Sequence, residues 1–146
     1  MEEFGGGKLP VKPGVRELLS FLSERGVPTG LASSSERRKI LDALDGAGLA
    51  GFFGSIISGD AVRISKPDPE IYLLACREMG LIPGETLAIE DSRNGIRAAH
   101  AAGMRPIMVP DLVPPDEETR LLSFRIFRDL FEVKAYLKDA RSGLLP

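Results

Sequence analysis

The stretch Leu87-Ala88-Ile89-Glu90-Asp91-Ser92-Arg93-Asn94-Gly95 is an apolar run that stops at two adjacent carboxylates and then enters a Gly-containing turn. A strand ending this way gathers negative charge at the carboxyl edge of a sheet, where open α/β folds place their ligands. Oxygen-only side chains there suit a hard cation such as Mg²⁺, which prefers carboxylates and keeps several waters. Two further stretches carry matching chemistry. Leu31-Ala32-Ser33-Ser34-Ser35 ends a short apolar run in hydroxyls and backbone N–H groups that can meet an anion. Lys66-Pro67-Asp68-Pro69 brings a cation on a proline-restricted loop. An acidic pair, an anion cradle and a lysine are the parts that phosphate chemistry uses.

The elements that must position these residues are legible from periodicity. Val15, Leu18, Leu19 and Leu22 fall at i, i+3, i+4 and i+7, which predicts a helix from Gly14 closed by Gly26. Val27–Ala32 reads as a buried strand, with Ser33–Ser35 available to cap a helix over Glu36–Ala43 that Gly46 and Gly48 break. A second strand is expected over Gly54–Gly59, a loop over Asp60–Pro69, and a helix over Glu70–Met79 with Ile71, Leu74 and Ala75 inward. Thr86–Glu90 predicts a third strand and Asn94–Ala102 a helix ended by Gly103 as a left-handed cap. Arg105–Val109 predicts a fourth strand. After an acidic, Pro-rich stretch, Phe124–Phe127 predicts a short edge strand and Asp129–Ala140 a last helix. Helices between successive strands predict an α/β fold, a Rossmann-like, mostly parallel sheet with helices on both faces. One core domain is expected over 14–140, after a flexible lead-in over 1–13 and before a tail over 141–146.

Composition narrows the function classes. The chain has 146 residues, one histidine, one cysteine and a net charge of −2 with both signs interspersed. No basic footprint for nucleic acid or an anionic membrane is present. Cys76 has no partner for an internal disulfide, and no apolar run approaches the roughly 20 residues of a membrane span. The expected setting is soluble, reducing and cytoplasmic. Gly7-Lys8 does not make a phosphate-binding loop, because Leu9 stands where Ser or Thr is needed.

These motifs, in this order, resemble the haloacid-dehalogenase superfamily, and within it the β-phosphoglucomutase and phosphoglycolate phosphatase-like subfamily. The similarity runs from Lys12-Pro13-Gly14-Val15 through Leu31-Ala32-Ser33 and Ser65-Lys66-Pro67-Asp68-Pro69 to Ile89-Glu90-Asp91-Ser92-Arg93-Asn94-Gly95. The resemblance implies Mg²⁺-dependent phosphoryl transfer, as phosphatase or phosphomutase, on a small phosphorylated metabolite. It implies Ser33, with Ser34 beside it, as the phosphate-binding group and Lys66 as the lysine that neutralises the nucleophile and the transferring oxygens. It implies Asp91 as the Mg²⁺ ligand, with Glu90 on the same ion directly or through a water. Ser92 and Asn94 either steady the acidic loop or only start a helix.

One part of the family pattern is missing. The resemblance implies an Asp-x-Asp motif at the end of the first, central strand, its first Asp forming an aspartyl-phosphate and its second acting as acid and base. No Asp-x-Asp occurs in this sequence, and the helical cap domain is absent too. The expectation is the carboxyl-terminal part of a longer enzyme, inactive alone, because Lys66, Glu90 and Asp91 are costly to keep grouped without the rest. The rival reading is a catalytically silent phosphate- or Mg²⁺-binding domain. In the family that first strand lies between Val27–Ala32 and Thr86–Glu90. Its loss predicts an open gap, direct pairing of those two strands, or a swapped or edge-paired dimer.

Plainer readings stand beside the sharper ones. Glu90-Asp91 could serve the helix dipole alone, Ser33 a helix cap, and Lys66 a surface loop. His100 reads as a surface histidine, Cys76 as a core residue, and Phe124, Phe127 and Phe131 as core packing. A receiver-like signalling domain would need its lysine after the acidic pair, and Lys66 precedes it.

Overall fold

All five strands are parallel, but they form two sheets. The computed structural model describes residues 12–139; the expected lead-in as far as residue 11 and the expected tail lie outside the described residues. The elements are α1 Val15–Glu24, β1 Gly30–Ala32, α2 Arg37–Ala47, β2 Ser55–Ile57, α3 Glu70–Met79, β3 Leu87–Glu90, α4 Arg93–Ala101, β4 Arg105–Met108, α5 Glu117–Leu122, β5 Arg125–Ile126 and α6 Leu130–Asp139. β1 pairs with β2, and β3, β4 and β5 pair in that order. The α/β fold with parallel strands and helices between them is the one expected.

Side-chain alternation divides the core into two layers. Leu31 and Ile107 pack with Val15, Leu18, Leu44 and Val133, so α1, α2 and α6 cover one face. Ala32 and Ala88 pack with Ile71, Tyr72, Cys76 and Ala99, so α3 and α4 cover the other. Gly14 sets the entry to α1 at φ 88°, and a Cβ there would press on Leu130 and Phe131 at 3.1–3.2 Å, so glycine permits both the turn and the approach of α6.

Several boundaries differ from expectation for physical reasons. α2 runs on through exposed Gly46 to Ala47 and ends at Gly48 with φ 69°. Burial of Ile40 and Leu44 outweighs the roughly 1 kcal/mol that a helical glycine costs. The serines do not cap α2; Glu36 holds the cap position without a side-chain cap bond. At the end of the acidic, Pro-rich stretch a helix that was not expected, α5, begins, started by a capping box in which Asp116 and buried Thr119 satisfy each other's N–H groups. Tyr72 and Cys76, rather than Leu74 and Ala75, are the most buried side chains of α3 with Ile71. Phe124 and Phe127 pack on the core, whereas Phe131 is 48% exposed. His100 is exposed, and Cys76 is a buried free thiol whose pKa burial pushes up. Among the described residues no helix is long and apolar enough to cross a membrane.

Between the two sheets lies an apolar cavity of about 340 Å³ lined by residues of both β1 and β3. Leu22 and Leu137 reach it from one helical layer, and Tyr72, Cys76 and Met79 from the other. Among the described residues β1 and β3 do not pair with each other, so direct pairing, one of the three arrangements expected, does not occur. The space opens to solvent and its walls are mostly apolar, so the side chains lining it lose packing contacts that a closed core would give them. The chain alone is expected to unfold at about 45 °C, the low end of the mesophile range, in a calorimetric scan. Cooperative unfolding of the monomer above about 65 °C contradicts so poorly packed a junction between the sheets.

Candidate active site

The carboxyl ends of β1 and β3 are brought together by one side chain. Lys66, on the loop before α3, donates from Nζ to the Ala32 carbonyl at 3.4 Å and to Glu90 Oε2 at 2.9 Å. The loop is braced by two side-chain carboxylates: Glu70 accepts the N–H groups of Arg63 and Ile64, and Asp68 accepts the Glu70 N–H. The Lys66–Pro67 bond is cis. Only 4% of the Lys66 side chain is exposed, so it is not a solvated surface loop side chain.

Ser33 follows β1 and is fully buried. Its N–H donates to the Ile57 carbonyl at 3.0 Å, and its Oγ accepts the Ser35 N–H at 3.1 Å. Ser34 is exposed, with its carbonyl packed so tightly on Gly59 that a Cβ there would overlap it. Since Lys66 bonds the carbonyl of Ala32, the ammonium lies beside the Ala32–Ser33 peptide.

Glu90 and Asp91 part company at the end of β3. Glu90 is 1% exposed and points to the α3–α4 side, where the Tyr72 hydroxyl donates to the same Oε2 that Lys66 holds. Its other oxygen has no partner among the described residues and lies against Gly95, where an added Cβ would overlap it. Gly95 is in the first turn of α4, so the helix dipole favours the carboxylate there. Burial still pushes the Glu90 carboxyl up to about 7, with Lys66 pulling against that shift. Asp91, 17% exposed at its side chain, instead takes Lys12 Nζ at 2.7 Å, and Lys12 reaches Asp111 at 3.4 Å.

Ser92 caps α4 by accepting the Gly95 N–H at 3.0 Å. Asn94 accepts from Arg97 at 3.0 Å, a contact among exposed groups away from the acidic loop. Among the described residues no group of three or more potential metal ligands occurs. Asp91 is the one accessible carboxylate of the pair, since Glu90 is committed to Lys66 and Tyr72. The described residues therefore do not by themselves make a Mg²⁺ site, which needs several oxygens.

Lys66 joins Glu90 to the end of β1, where Ser33 follows, whereas Asp91 contacts Lys12 instead of Lys66. Two neighbours were missed. Lys12 was visible only as the start of the family-like stretch, and nothing in its spacing pairs it with Asp91. Tyr72 could have been found from chemistry: a buried carboxylate needs donors, and a tyrosine on the inner face of α3 brings a hydroxyl with its apolar ring. Its ring also lies under the Lys66 ammonium, 5.1 Å from the centroid.

The pair sets a pH-dependent prediction. Because the Glu90 pKa is raised above its unfolded value of 4.5, the fold binds the extra proton between 4.5 and about 7, and that contribution is lost as pH rises through 7. At pH 8 Lys66→Met leaves a buried carboxylate without its cation and is expected to destabilise the chain by about 3 kcal/mol in urea unfolding. Near pH 5 the cost should shrink, because Glu90 is then largely protonated. A cost independent of pH contradicts the pairing. Gly95→Ala should displace Glu90 and destabilise by about 2 kcal/mol or more on the same assay, whereas alanine in an open helix would stabilise.

The comparisons with known proteins agree with the fold. The profile of the haloacid dehalogenase-like hydrolase family matches residues 2–103. A phosphorylated carbohydrates phosphatase of Thermotoga maritima is 38% identical over 99 residues, 68% of this chain and 46% of that protein. Hexitol phosphatase B of Escherichia coli is 39% identical over 101 residues, 69% of this chain and 46% of its own length. The crystal structure of CbbY from Rhodobacter sphaeroides in complex with phosphate superimposes with a TM-score of 0.76 at 31% identity, covering 84% of this chain and 55% of that one. The chain spans about half the length of the curated relatives it matches. With its parallel α/β fold and its serine, lysine and acidic pair at one sheet edge, the chain belongs to the haloacid dehalogenase-like hydrolase family.

Proposed function

We propose that the protein containing this chain is a phosphatase or phosphomutase of small phosphorylated carbohydrates. The observation that carries this is Lys66, held between the end of β1, where Ser33 begins, and the acidic end of β3. Phosphoryl transfer is mostly charge stabilisation and alignment, and this edge offers both. Ser33 and Ser34 bind phosphoryl oxygens through hydroxyl and N–H groups, and Lys66 neutralises them. Glu90 fixes Lys66, and Asp91 remains the more open carboxylate. A hard cation such as Mg²⁺ would take Asp91 and draw its other oxygens from water, the phosphoryl group and chain outside residues 12–139. The relatives named for phosphorylated carbohydrates and for hexitol phosphate support the substrate class.

No Asp-x-Asp occurs in this chain, so this reading draws its nucleophilic carboxylate from outside it. That favours a second reading for the chain alone, a domain that binds phosphate without turning it over. Phosphate release from a panel of sugar phosphates separates the two. The longest in-frame polypeptide containing this chain should release phosphate, and Asp91→Asn should lower its kcat/KM by about 100-fold or more with circular dichroism unchanged. The 146-residue chain should be silent. Silence of both forms, or full activity of Asp91→Asn, contradicts the enzyme reading.

A further inference from the structure

We propose that Lys12 is the built-in counter-cation of Asp91, and that with it in place this edge of the chain binds phosphate without a divalent ion. The proposal rests on the reading that the edge takes phosphoryl oxygens, and it names the group that neutralises the second carboxylate there. Lys12 Nζ lies 2.7 Å from Asp91 Oδ2 and 3.4 Å from Asp111 Oδ2. The Lys12 and Asp91 side chains are each only 17% exposed, so solvent and salt screen their contact far less than a surface pair. Asp111 is the outer, half-exposed member of the three.

The backbone sets the lysine at this place. The Val15 N–H donates to the Lys12 carbonyl at 3.3 Å, and Gly14, at φ 88°, turns the chain into α1, whose Val15 and Leu18 are buried in the core. Lys12 therefore stands at the root of an anchored helix, and its side chain crosses to an aspartate 79 positions away at the end of β3. Asp111 comes from the neighbouring strand: the Val109 N–H bonds the Glu90 carbonyl at 2.8 Å, and Asp111 follows two residues later. One ammonium thus ties the start of α1 to the ends of β3 and β4.

Charge decides what this contact does. Glu90 already has Lys66, so Asp91 is the carboxylate left to oppose an incoming anion. A bare carboxylate beside a phosphate repels it, and an ammonium on that carboxylate cancels the repulsion. Lys12 does for Asp91 what Lys66 does for Glu90, and it acts through Asp91 rather than on the phosphate. Among the described residues no group of three or more potential metal ligands competes for this role. A divalent ion takes the Asp91 oxygen that Lys12 holds only by displacing the lysine.

The test is titration of the 146-residue chain with inorganic phosphate, read from backbone amide shifts, once in EDTA and once with Mg²⁺. The wild-type dissociation constant should agree within about 2-fold between the two conditions. Lys12→Met should weaken binding about 10-fold in EDTA, and Lys12→Arg, which keeps the charge, should stay within about 2-fold of wild type. Lys12→Gln replaces Lys12→Met if the latter does not fold. Combining Lys12→Met with Asp91→Asn removes cation and carboxylate together and should restore wild-type affinity, which a lysine touching the phosphate itself would not allow. Unchanged affinity in Lys12→Met, unrestored affinity in the double variant, or wild-type binding that vanishes in EDTA overturns the proposal and leaves the phosphoryl reading standing. Absence of wild-type binding in both conditions overturns the two together.

Discussion

One buried ion pair holds the functional edge together. Lys66 and Glu90 lie 2.9 Å apart with side chains 4% and 0% exposed, and the same ammonium reaches the last carbonyl of β1. Such a pair is a poor source of net stability, because desolvation offsets most of the attraction. Its role here is register. The two sheets share no strand pairing among the described residues, so the lysine decides which ends of β1 and β3 meet. Everything at that edge depends on the choice: Ser33 follows one strand and Asp91 the other.

The pair in turn constrains its neighbours. Glu90 needs room, which Gly95 supplies, and a donor, which Tyr72 supplies. The cap at Ser92 and the first turn of α4 then place Asp91 outside that pocket, where Lys12 meets it. Adjacent carboxylates in the sequence thus have separate environments, one paired with Lys66 inside the fold and one paired with the more accessible Lys12. The two sheets share the same helical layers on both faces, and the apolar cavity lies between their unpaired strands β1 and β3.

Much of this was legible because the signals were local. The i, i+3, i+4, i+7 spacing of Val15, Leu18, Leu19 and Leu22 gave α1, and α3 runs over Glu70–Met79 as expected. The nearness of Lys66 to Glu90 and to the end of β1 is what the family resemblance implied. What escaped depended on partners distant in sequence. Asp91 meets Lys12 across 79 positions, and no local pattern encodes that contact. The opposed directions of Glu90 and Asp91 follow from strand alternation, yet which one is buried is decided by α3 and α4. α2 passed its expected stop because Gly46 is exposed and its helix is held by residues on the opposite side.

The central claim is that these groups surround one phosphoryl position. Its most direct measurement is chemical-shift mapping of the backbone amides of the 146-residue chain during titration with inorganic phosphate. The account predicts saturable shifts at Ser33, Ser34, Lys66 and Asp91, lost in Lys66→Ala when that variant is folded. Shifts centred elsewhere, or unaltered by removal of the Lys66 ammonium, would contradict it.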